Sequence, residues 1–321
     1  MMRFDAEGYV RLVNAPETAG VLYGLLDALE ENFTGATRLV SEIRGALWRS
    51  VGKVPAVPAQ IETWPHIKVD VPITDRCNLA CKSCSHFAPI ANGAPMVDRE
   101  DISASLELMK RACGDIVFTV FLIGGEPLLH RDLEAIIRDT REIFPDSERY
   151  VVSNMLLYGR WRGVFRDLLP QTGTALGYSC YGEVNRRVIE IARKDSETHH
   201  FPFVQFGTNP PEFTSYLKSA DPKYPATGKT GCYMAKCPTL IGNYLYLCSP
   251  VSYLQYPNVA FGLNLQATRY DRIDLREVEH PDEVLVLSRL PHPFCRHCNV
   301  KGNHPIGWSP SKCERGEWFE D

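Results

Sequence analysis

The pattern of apolar positions predicts a series of strands between residues 67 and 207. Every second residue from Ile67 to Ile73 is apolar, which is the period of a strand with one buried face. Pro72 in this run has no N–H for a neighbouring strand, so we expect the strand at a sheet edge. Residues 116–123 are apolar throughout, which is typical of a strand buried on both faces of a parallel sheet. Three shorter strands are predicted at 150–154, 174–180 and 201–207.

Helical periodicity separates these strands. Apolar side chains recur at helical spacing from Ile102 to Cys113, after an N-cap residue at Asp98 and before a stop at Gly114. Cys113 falls on the buried stripe, where cysteine usually acts as a small apolar side chain. Two more helices are predicted at 133–140 and 184–194. Strands that alternate with helices indicate an α/β fold with a parallel sheet.

Residues 1–60 carry a different pattern. We expect a short hairpin around Glu7 and Gly8, then two helices at about 16–32 and 36–49. A proline-containing linker follows from Val54 to Pro65. A cap over the main domain and a contact with a second copy are both compatible with a segment of this kind.

Composition limits the class of protein. The chain has 321 residues, 44% of them hydrophobic and 23% charged, which suits one large domain with appendages. A net charge of −4 argues against a nucleic-acid surface dominated by phosphate contacts. No apolar run reaches the length of a membrane span, and we find no secretion signal. Eleven cysteines without such a signal indicate a cytoplasmic protein whose thiolates bind metals rather than form disulfides.

Three of the cysteines lie within eight residues, at Cys77, Cys81 and Cys84. A [4Fe–4S] cluster normally takes four thiolates, so this C-x3-C-x2-C loop would leave one iron open to a small molecule. That arrangement suits S-adenosylmethionine (SAM), which binds through its amino and carboxylate groups. A structural zinc site usually needs a fourth ligand nearby, and a disulfide framework is typical of short secreted chains. The spacing therefore favours a cluster that binds SAM.

A glycine-rich turn follows the apolar strand 116–123. Gly124 and Gly125 would let a ligand approach the backbone, and Glu126 offers a carboxylate to an ammonium group. Pro127 completes a Gly-Gly-Glu-Pro sequence. A turn of this kind after a strand, about 40 residues beyond the cysteine loop, indicates a second part of the same binding site.

With the cysteine loop and the Gly124–Pro127 turn, the chain resembles the radical SAM superfamily over residues 67 to about 210. The resemblance implies a partial (β/α)6 barrel, similar to a TIM barrel, with SAM and substrate at the carboxyl ends of the strands. It also implies SAM contacts from Ser153 and Asn154. The residue before the third cysteine is commonly aromatic in the family and touches adenine. Here it is Ser83, so Phe87 is the candidate for that contact.

The C-terminal third carries a second group of cysteines. Residues 237–248 are expected to form a hairpin with a two-residue turn at Gly242 and Asn243, which places Cys237 opposite Cys248. A helix near residues 281–290 then leads to a C-x2-C pair, Cys295 and Cys298. Two plus two thiolates make a complete metal site, for an iron–sulfur cluster or, as an alternative, for structural zinc.

This layout resembles the twitch domain, a shorter relative of the SPASM domain, which adds an auxiliary [4Fe–4S] cluster to radical SAM enzymes. Cys232 is an alternative ligand to Cys237, and Cys313 is left over. We predict three parts of the chain. These are an N-terminal segment (1–62), the partial barrel (63–225) and a C-terminal twitch- or SPASM-like cluster domain (226–321).

The resemblance implies a radical enzyme that draws electrons from an external donor such as a flavodoxin or ferredoxin. SAM is cleaved to a 5′-deoxyadenosyl radical, which takes a hydrogen atom from a C–H bond of the substrate. The substrate radical is then oxidised through the auxiliary cluster, as in a dehydrogenase, or receives a hydrogen from a cysteine, as in an epimerase. The candidate hydrogen donors, of which at most one is expected, are Cys180, Cys232 and Cys248.

The next expectation concerns the class of substrate. We favour a small polar molecule such as a sugar or aminoglycoside. A ribosomally made peptide is the alternative, and it is disfavoured because residues 1–60 show no winged-helix peptide-binding module. An iron–sulfur electron carrier is an alternative from another class. A carrier would use clusters with four ligands, and the Gly-Gly-Glu-Pro turn would have no role in it.

Overall fold

A computed structural model describes residues 4–54, 56, 66–91, 93–206, 212–215, 218–226, 232, 234 and 238–320. The strands in these ranges are β1 (Ile67–Thr74), β2 (Val117–Gly124), β3 (Glu148–Ser153), β4 (Ala175–Ser179), β5 (Phe203–Phe206), β6 (Glu212–Ser215), β7 (Thr239–Ile241), β8 (Tyr244–Tyr246), β9 (Arg272–Asp274) and β10 (His304–Gly307). The α-helices are α1 (Ala6–Leu12), α2 (Ala15–Asn32), α3 (Thr37–Val51), α4 (Arg99–Cys113), α5 (Leu133–Ile143), α6 (Tyr158–Thr172), α7 (Arg186–His199), α8 (Gln255–Phe261) and α9 (Pro281–Leu287).

Eight of these strands form one sheet in the order β5-β4-β3-β2-β1-β7-β8-β9. The strands from β5 to β7 in this order pair in parallel, and β8 and β9 are antiparallel. Helices follow β1 to β4, which repeats the β/α unit of a barrel. The predicted α/β class with a barrel-like parallel sheet is confirmed. Within the described residues the sheet stays open, and β7 beside β1 supplies its sixth parallel strand.

The two faces of this sheet differ. Val69, Val120 and Leu122 are fully buried and share one hydrophobic core with the helices. Phe121 and Tyr150 point to the opposite face and are only half-buried. The expectation that residues 116–123 are buried on both faces is therefore wrong for one face of β2, because that face borders the interior of an open barrel.

The position of β1 corrects a second expectation. Pro72 predicted an edge strand, but β1 lies between β2 and β7. The pairing with β7 is limited to Asp70 and Thr239, with the Asp70 N–H donating to the Pro238 carbonyl over 2.9 Å. Pro72 lies two residues beyond that pairing, so its missing N–H costs the sheet no hydrogen bond.

The predicted helices of the barrel are present. α4 begins after Asp98 and ends at Gly114, whose φ of +57° suits glycine, and Cys113 is fully buried. α5 and α7 cover the other two predicted stretches with longer bounds. The short strands also occur where the sequence predicts them, as β3, β4 and β5.

The N-terminal segment is helical from its start. The hairpin expected at Glu7 and Gly8 is wrong, because these residues lie in α1, whose N-cap Asp5 accepts a hydrogen bond from the Gly8 N–H over 2.9 Å. A Cβ on Gly8 would lie 2.5 Å from the Tyr270 hydroxyl, so the glycine serves close packing rather than a turn. The two longer helices, α2 and α3, are confirmed.

These N-terminal helices pack against the C-terminal part of the chain. The Tyr9 hydroxyl donates to the Pro291 carbonyl over 2.8 Å, and the Gly35 N–H donates to the Asp282 carboxylate over 2.8 Å. The predicted domain boundaries at 62/63 and 225/226 stay a prediction. No helix in the described part of the chain is long and apolar enough to cross a membrane.

The C-terminal hairpin has the predicted turn. β7 and β8 are joined at Gly242, whose φ is +57°, and Ile241 pairs with Tyr244 as expected. The pairing of Thr239 with Tyr246 keeps that register. Cys237, which the same register would place opposite Cys248, lies outside the described residues.

Candidate functional site

The loop after β1 carries Cys77, Cys81 and Cys84 at the carboxyl edge of the parallel strands. Several groups donate hydrogen bonds to these sulfurs. The Leu79 N–H lies 3.4 Å from Cys77 Sγ, and the Trp308 indole N–H lies 3.2 Å from Cys81 Sγ. The backbone N–H groups of residues 86–88 bond to Cys84. Donors of this kind stabilise thiolates and are a usual part of iron–sulfur sites.

The same thiols are poor acids without a metal. Burial raises the pKa of Cys77 to about 12 and the pKa of Cys81 to about 11. Both would be protonated at neutral pH, so a metal that binds here must displace the protons. In the ranges that the structure describes, no group of three or more Cys, His, Asp or Glu side chains is placed to hold a metal ion. By residue type, spacing and hydrogen-bond donors, the loop fits three ligands of an iron–sulfur cluster.

Tyr181 adds another polar group to this loop. It lies two residues after the end of β4, and its hydroxyl forms a hydrogen bond with the Cys81 thiol. Burial raises the pKa of Tyr181 well above its usual value, and the nearby thiols of Cys81 and Cys84 raise it further. The hydroxyl therefore stays protonated and acts as a neutral donor to the cysteine loop.

The Gly-Gly-Glu-Pro turn contacts the start of the cysteine loop through its backbone. A Cβ on Gly124, whose φ is +134°, would lie 2.1 Å from the Thr74 carbonyl oxygen, and one on Gly125 would lie 2.1 Å from the Arg76 carbonyl oxygen. Gly125 N–H donates to Thr74 over 2.7 Å, and Glu126 N–H donates to Arg76 over 2.8 Å. In this structure the two glycines permit close approach of the chain to itself.

The Glu126 carboxylate is fully buried and is occupied by the chain's own donors. It accepts hydrogen bonds from the Ser153 hydroxyl at 2.8 Å, the Asn154 N–H at 2.8 Å and the Leu128 N–H at 3.0 Å. Burial raises its pKa to about 7, against the effect of these hydrogen bonds. The carboxylate braces the end of β2 against the end of β3. Among the described residues, Oε2 accepts only the Asn154 bond, and a carboxylate oxygen can accept two, so the predicted contact of Glu126 with an ammonium group stays a prediction.

Asn154 joins that brace to the cysteine loop. Its side-chain amide donates to the Asn78 side-chain oxygen over 2.7 Å and lies 3.8 Å from Cys77 Sγ. The Asn154 carbonyl in turn accepts from the Asn185 amide over 2.9 Å. Asn185 is fully buried and also bonds to the Ser179 carbonyl at the end of β4. Sequence reasoning missed Asn185, whose only signal is a polar residue shortly after a strand.

Phe87 lies behind the cysteine loop. Its ring is fully buried and packs 5.9 Å from the Trp318 ring, centroid to centroid. The adenine contact assigned to Phe87 stays a prediction. In the structure its contacts fix the loop rather than line an open surface.

The C-terminal segment crosses the cysteine loop in an antiparallel direction. Lys82 N–H donates to Ser309, and Ser311 N–H donates to Ala80, over 2.9 and 2.8 Å. The Trp318 indole N–H donates to the Cys84 carbonyl over 2.9 Å. These contacts join residues more than 220 positions apart, so no local sequence pattern could have indicated them.

The second group of cysteines gathers from separate segments. Cys248 follows β8, and Cys295 and Cys298 lie at a short turn after α9. Burial raises the pKa of Cys298 far above the usual range, and the neighbouring thiols of Cys248, Cys295 and Cys232 raise it further. Cys248, Cys295 and Cys232 thus lie within electrostatic reach of Cys298, although no three such side chains in the described ranges are placed to hold a metal ion.

His292 is the buried cation of this group. Its Nδ1 lies 2.8 Å from an Asp271 carboxylate oxygen, and the imidazole also bonds to the Cys248 thiol. Burial opposes a charge on His292, but the thiols of Cys295 and Cys248 and the Asp271 carboxylate outweigh it and raise the pKa of His292 well above its usual value. In known metal sites a carboxylate bonded to a histidine fixes the orientation of the imidazole ring.

Lys218 supplies a second buried cation between the two groups of cysteines. Its ammonium lies 5.4 Å from the centre of the Phe87 ring and within electrostatic reach of Cys298 and Cys248. Burial lowers the pKa of Lys218, and these thiols counteract that effect. Sequence reasoning missed both Lys218 and His292, because each is placed by contacts far apart in the chain.

The remaining cysteines lie apart from the two groups. Cys180 is half-buried directly after β4, beside Tyr181. Cys313 is exposed, and its Sγ lies 3.6 Å from the Pro89 carbonyl oxygen.

Comparison with known proteins gives partial matches. No protein-family model matches the chain. It is 31% identical over 109 residues to GTP 3′,8-cyclase from Sulfurovum sp. (strain NBC37-1), covering 33% of this chain and 29% of the cyclase. It is 22% identical over 142 residues to the FeMo cofactor biosynthesis protein NifB from Methanocaldococcus jannaschii, covering 41% of this chain and 47% of NifB. The chain thus spans less than half the length of either relative.

Two solved structures are similar to the chain at low identity. BtrN in complex with AdoMet and 2-DOIA matches over 73% of this chain and 93% of BtrN, with 14% identity and a TM-score of 0.45. Streptococcus suis SuiB bound to precursor peptide SuiA matches over 55% of this chain and 61% of SuiB, with 12% identity and a TM-score of 0.26.

The cysteine loop, the Gly-Gly-Glu-Pro turn beside it and the matched relatives support the resemblance to the radical SAM superfamily. Proteins of that superfamily hold a [4Fe–4S] cluster and SAM as cofactors.

Proposed function

We propose that the chain cleaves SAM reductively at the Cys77–Cys84 loop and uses the resulting radical on a small polar substrate. The observation that carries this proposal is the position of the three thiols. They belong to one short loop that follows β1 at the carboxyl edge of the parallel strands, and the Gly124–Pro127 turn is bonded directly to the start of that loop. Barrel enzymes of the parallel α/β type place their chemistry at this edge.

Cys77, Cys81 and Cys84 would hold three irons and leave one position for SAM. When bound and reduced, the cluster would supply the electron that cleaves SAM to methionine and a 5′-deoxyadenosyl radical, which takes a hydrogen atom from the substrate. The chain's own part is to hold this loop rigid. The Trp308 N–H and the Tyr181 O–H stabilise the Cys81 thiolate. The Asn154 amide fixes the Cys77 end of the loop through Asn78.

Glu126 and Ser153 support the SAM site from behind. Their hydrogen bond fixes the Glu126 carboxylate beside the Gly124–Pro127 turn, and we assign the ammonium group of SAM to the remaining lone pair of Glu126 Oε2. Asn154 lies closer to the cysteine loop than Ser153 does. We therefore assign the SAM contact that was predicted for the end of β3 to the surroundings of Asn154.

The second group of cysteines would hold an auxiliary [4Fe–4S] cluster. Cys248, Cys295 and Cys298 supply three thiolates, and Cys232 or Cys237 supplies the fourth. The buried cations His292 and Lys218 would offset the negative charge of four thiolates and the core they bind. Such a cluster would accept an electron from the substrate radical in an oxidation. In an epimerisation, a cysteine returns a hydrogen atom instead, and Cys180 is the candidate that lies outside the second group.

Anaerobic incubation with SAM and dithionite tests the proposal. We expect release of 5′-deoxyadenosine by the reconstituted protein and none by the Cys81→Ala variant. Absence of release from the intact protein under every reducing condition would favour an electron carrier. With a substrate in hand, deuterated solvent separates the two reactions. An epimerase product gains one deuterium, whereas an oxidised product is two mass units lighter.

A further inference from the structure

The sheet face opposite the helices carries a row of side chains that the cofactor chemistry does not use. Asp70, Phe121 and Tyr150 are register partners on β1, β2 and β3, so their side chains stand next to one another. The Phe121 and Tyr150 rings lie 5.2 Å apart, and the Phe206 ring on β5 lies 5.6 Å from each. All three rings are only half-buried, so the row borders accessible space.

The Asp70 carboxylate in this row is 9% exposed and has no hydrogen-bond or ion-pair partner within the described ranges. Burial alone raises its pKa to about 7. The other buried aspartates among the described residues are paired. Asp195 is held by the Arg162 guanidinium at 2.6 Å, and Asp271 by His292 at 2.8 Å. A buried carboxylate without a partner is costly unless a ligand supplies the counter-charge.

A second set of unpaired polar atoms faces the same carboxylate. Tyr253 is fully buried, its hydroxyl has no hydrogen-bond partner, and both Asp75 and Asp70 lie within electrostatic reach of it. The His86 ring lies 5.2 Å from the Tyr253 ring, and His86 Nε2 is buried and also without a partner. Buried polar atoms normally find a hydrogen bond, so the Tyr253 hydroxyl and His86 Nε2 are two polar groups whose bonding capacity the chain itself leaves unused.

We propose that this face of the sheet binds a protonated amino group of the substrate, with Asp70 as counter-ion and the Phe121 and Tyr150 rings as an aromatic wall. The cation would offset the cost of the buried carboxylate, and aromatic faces attract cations. The Tyr253 hydroxyl and His86 Nε2 would bond hydroxyl groups of the same ligand. The substrate class is therefore a polyhydroxylated amine, such as an amino sugar or aminocyclitol. The assignment rests on the proposed function, which requires a substrate inside the barrel.

Paired probes that differ only in amine against hydroxyl test the assignment. Binding of 1,4-diaminocyclohexane and 1,4-cyclohexanediol, and of glucosamine and glucose, is measured by calorimetry on the anaerobically reconstituted protein. We expect the amine of each pair to bind at least ten times more tightly than the hydroxyl compound. The isosteric Asp70→Asn change is expected to remove that preference. The exposed Asp146→Asn change is the matched control and is expected to keep it.

Equal binding within each pair by the unmodified protein would overturn the proposal, and so would an amine preference that survives in Asp70→Asn. Asp70→Asn removes an unpaired buried charge, so it is expected to melt at or above the temperature of the unmodified protein. If it fails to fold, Phe121→Leu provides the second variant, with an expected loss of about threefold or more in amine binding only. An unchanged amine preference in Phe121→Leu would also contradict the proposal. Release of 5′-deoxyadenosine by the unmodified protein is scored separately, so failure of SAM cleavage and failure of amine recognition are distinguishable.

Discussion

The two groups of cysteines are built in opposite ways. Cys77, Cys81 and Cys84 come from one short loop, and the groups that bond to their sulfurs are neutral N–H and O–H donors. Cys248, Cys295 and Cys298 come from segments far apart in the chain, and the buried cations His292 and Lys218 lie among them. Three thiolates carry less negative charge than four. The contrast in their surroundings therefore supports one site with an open coordination position and one that is fully ligated.

The largest effect is expected from the loss of one cysteine of the first group. Cys81→Ala removes one of three ligands in a loop that has no spare thiol, so 5′-deoxyadenosine release should fall below detection. The second group should keep its metal, and the iron content should fall by roughly half. Iron analysis and the visible absorption of the cluster measure this outcome. Cys113→Ala in the core of α4 is the matched control, and loss of all iron in Cys81→Ala alone would show that the groups are not independent.

The reverse experiment uses Cys298→Ala. Here we expect SAM cleavage to persist while the metal of the second group is lost, and an oxidation of the substrate should then stop. The identity of the lost metal decides between iron and the alternative, structural zinc. If Cys298→Ala abolished SAM cleavage while retaining the first cluster, the proposed division of labour would be wrong.

A smaller effect is expected from the charge that distinguishes the second group. His292→Gln keeps a polar side chain but removes the cation held by Asp271 beside Cys248. Loss of such a supporting group typically lowers metal affinity by roughly 10- to 100-fold. Retention of the second metal during chelation by a competing chelator is the measurement. His304→Gln, at an exposed position, is the control, and equal retention in both variants would show that His292 does not support the metal.

The smallest expected effect concerns the neutral donors of the first group. Trp308→Phe keeps an aromatic ring and removes one N–H donor to Cys81 Sγ, so we expect a loss of about tenfold or less in SAM cleavage and a lower reduction potential. Redox titration of the first cluster measures the change in reduction potential. Trp48→Phe, which alters an exposed ring, should leave the potential unchanged. A potential that does not move in Trp308→Phe would show that the indole only packs against the loop.

The sequence predicts the first site far better than the second, for a physical reason. The cysteine loop and the Gly124–Pro127 turn are local features, so their spacing and place after strands suffice to locate them. The hydrogen bonds of Glu126 were not predictable in the same way, since two of the three donors come from the end of β3, far away in the sequence. His292 likewise depends on Asp271 and Cys248, which only the tertiary fold brings to it.

The fold shows the same division between local and long-range features. Local patterns of apolar residues predict β1 to β5 and α4, α5 and α7: a period of two for β1, a continuous apolar run for β2 and a helical period for the helices. The edge position predicted from Pro72 was wrong, because the place of β1 in the sheet depends on its long-range pairing with β7. The predicted turn at Gly8 was wrong, because this glycine permits close packing against Tyr270.

The central claim is that the Cys77–Cys84 loop holds a cluster with one iron open to SAM. Electron paramagnetic resonance of the reduced Cys295→Ala/Cys298→Ala protein tests it most directly, since only the first cluster then contributes. We predict that adding SAM changes the g-values of the signal, because its amino and carboxylate groups bind the open iron. A signal that stays the same at saturating SAM would contradict the claim.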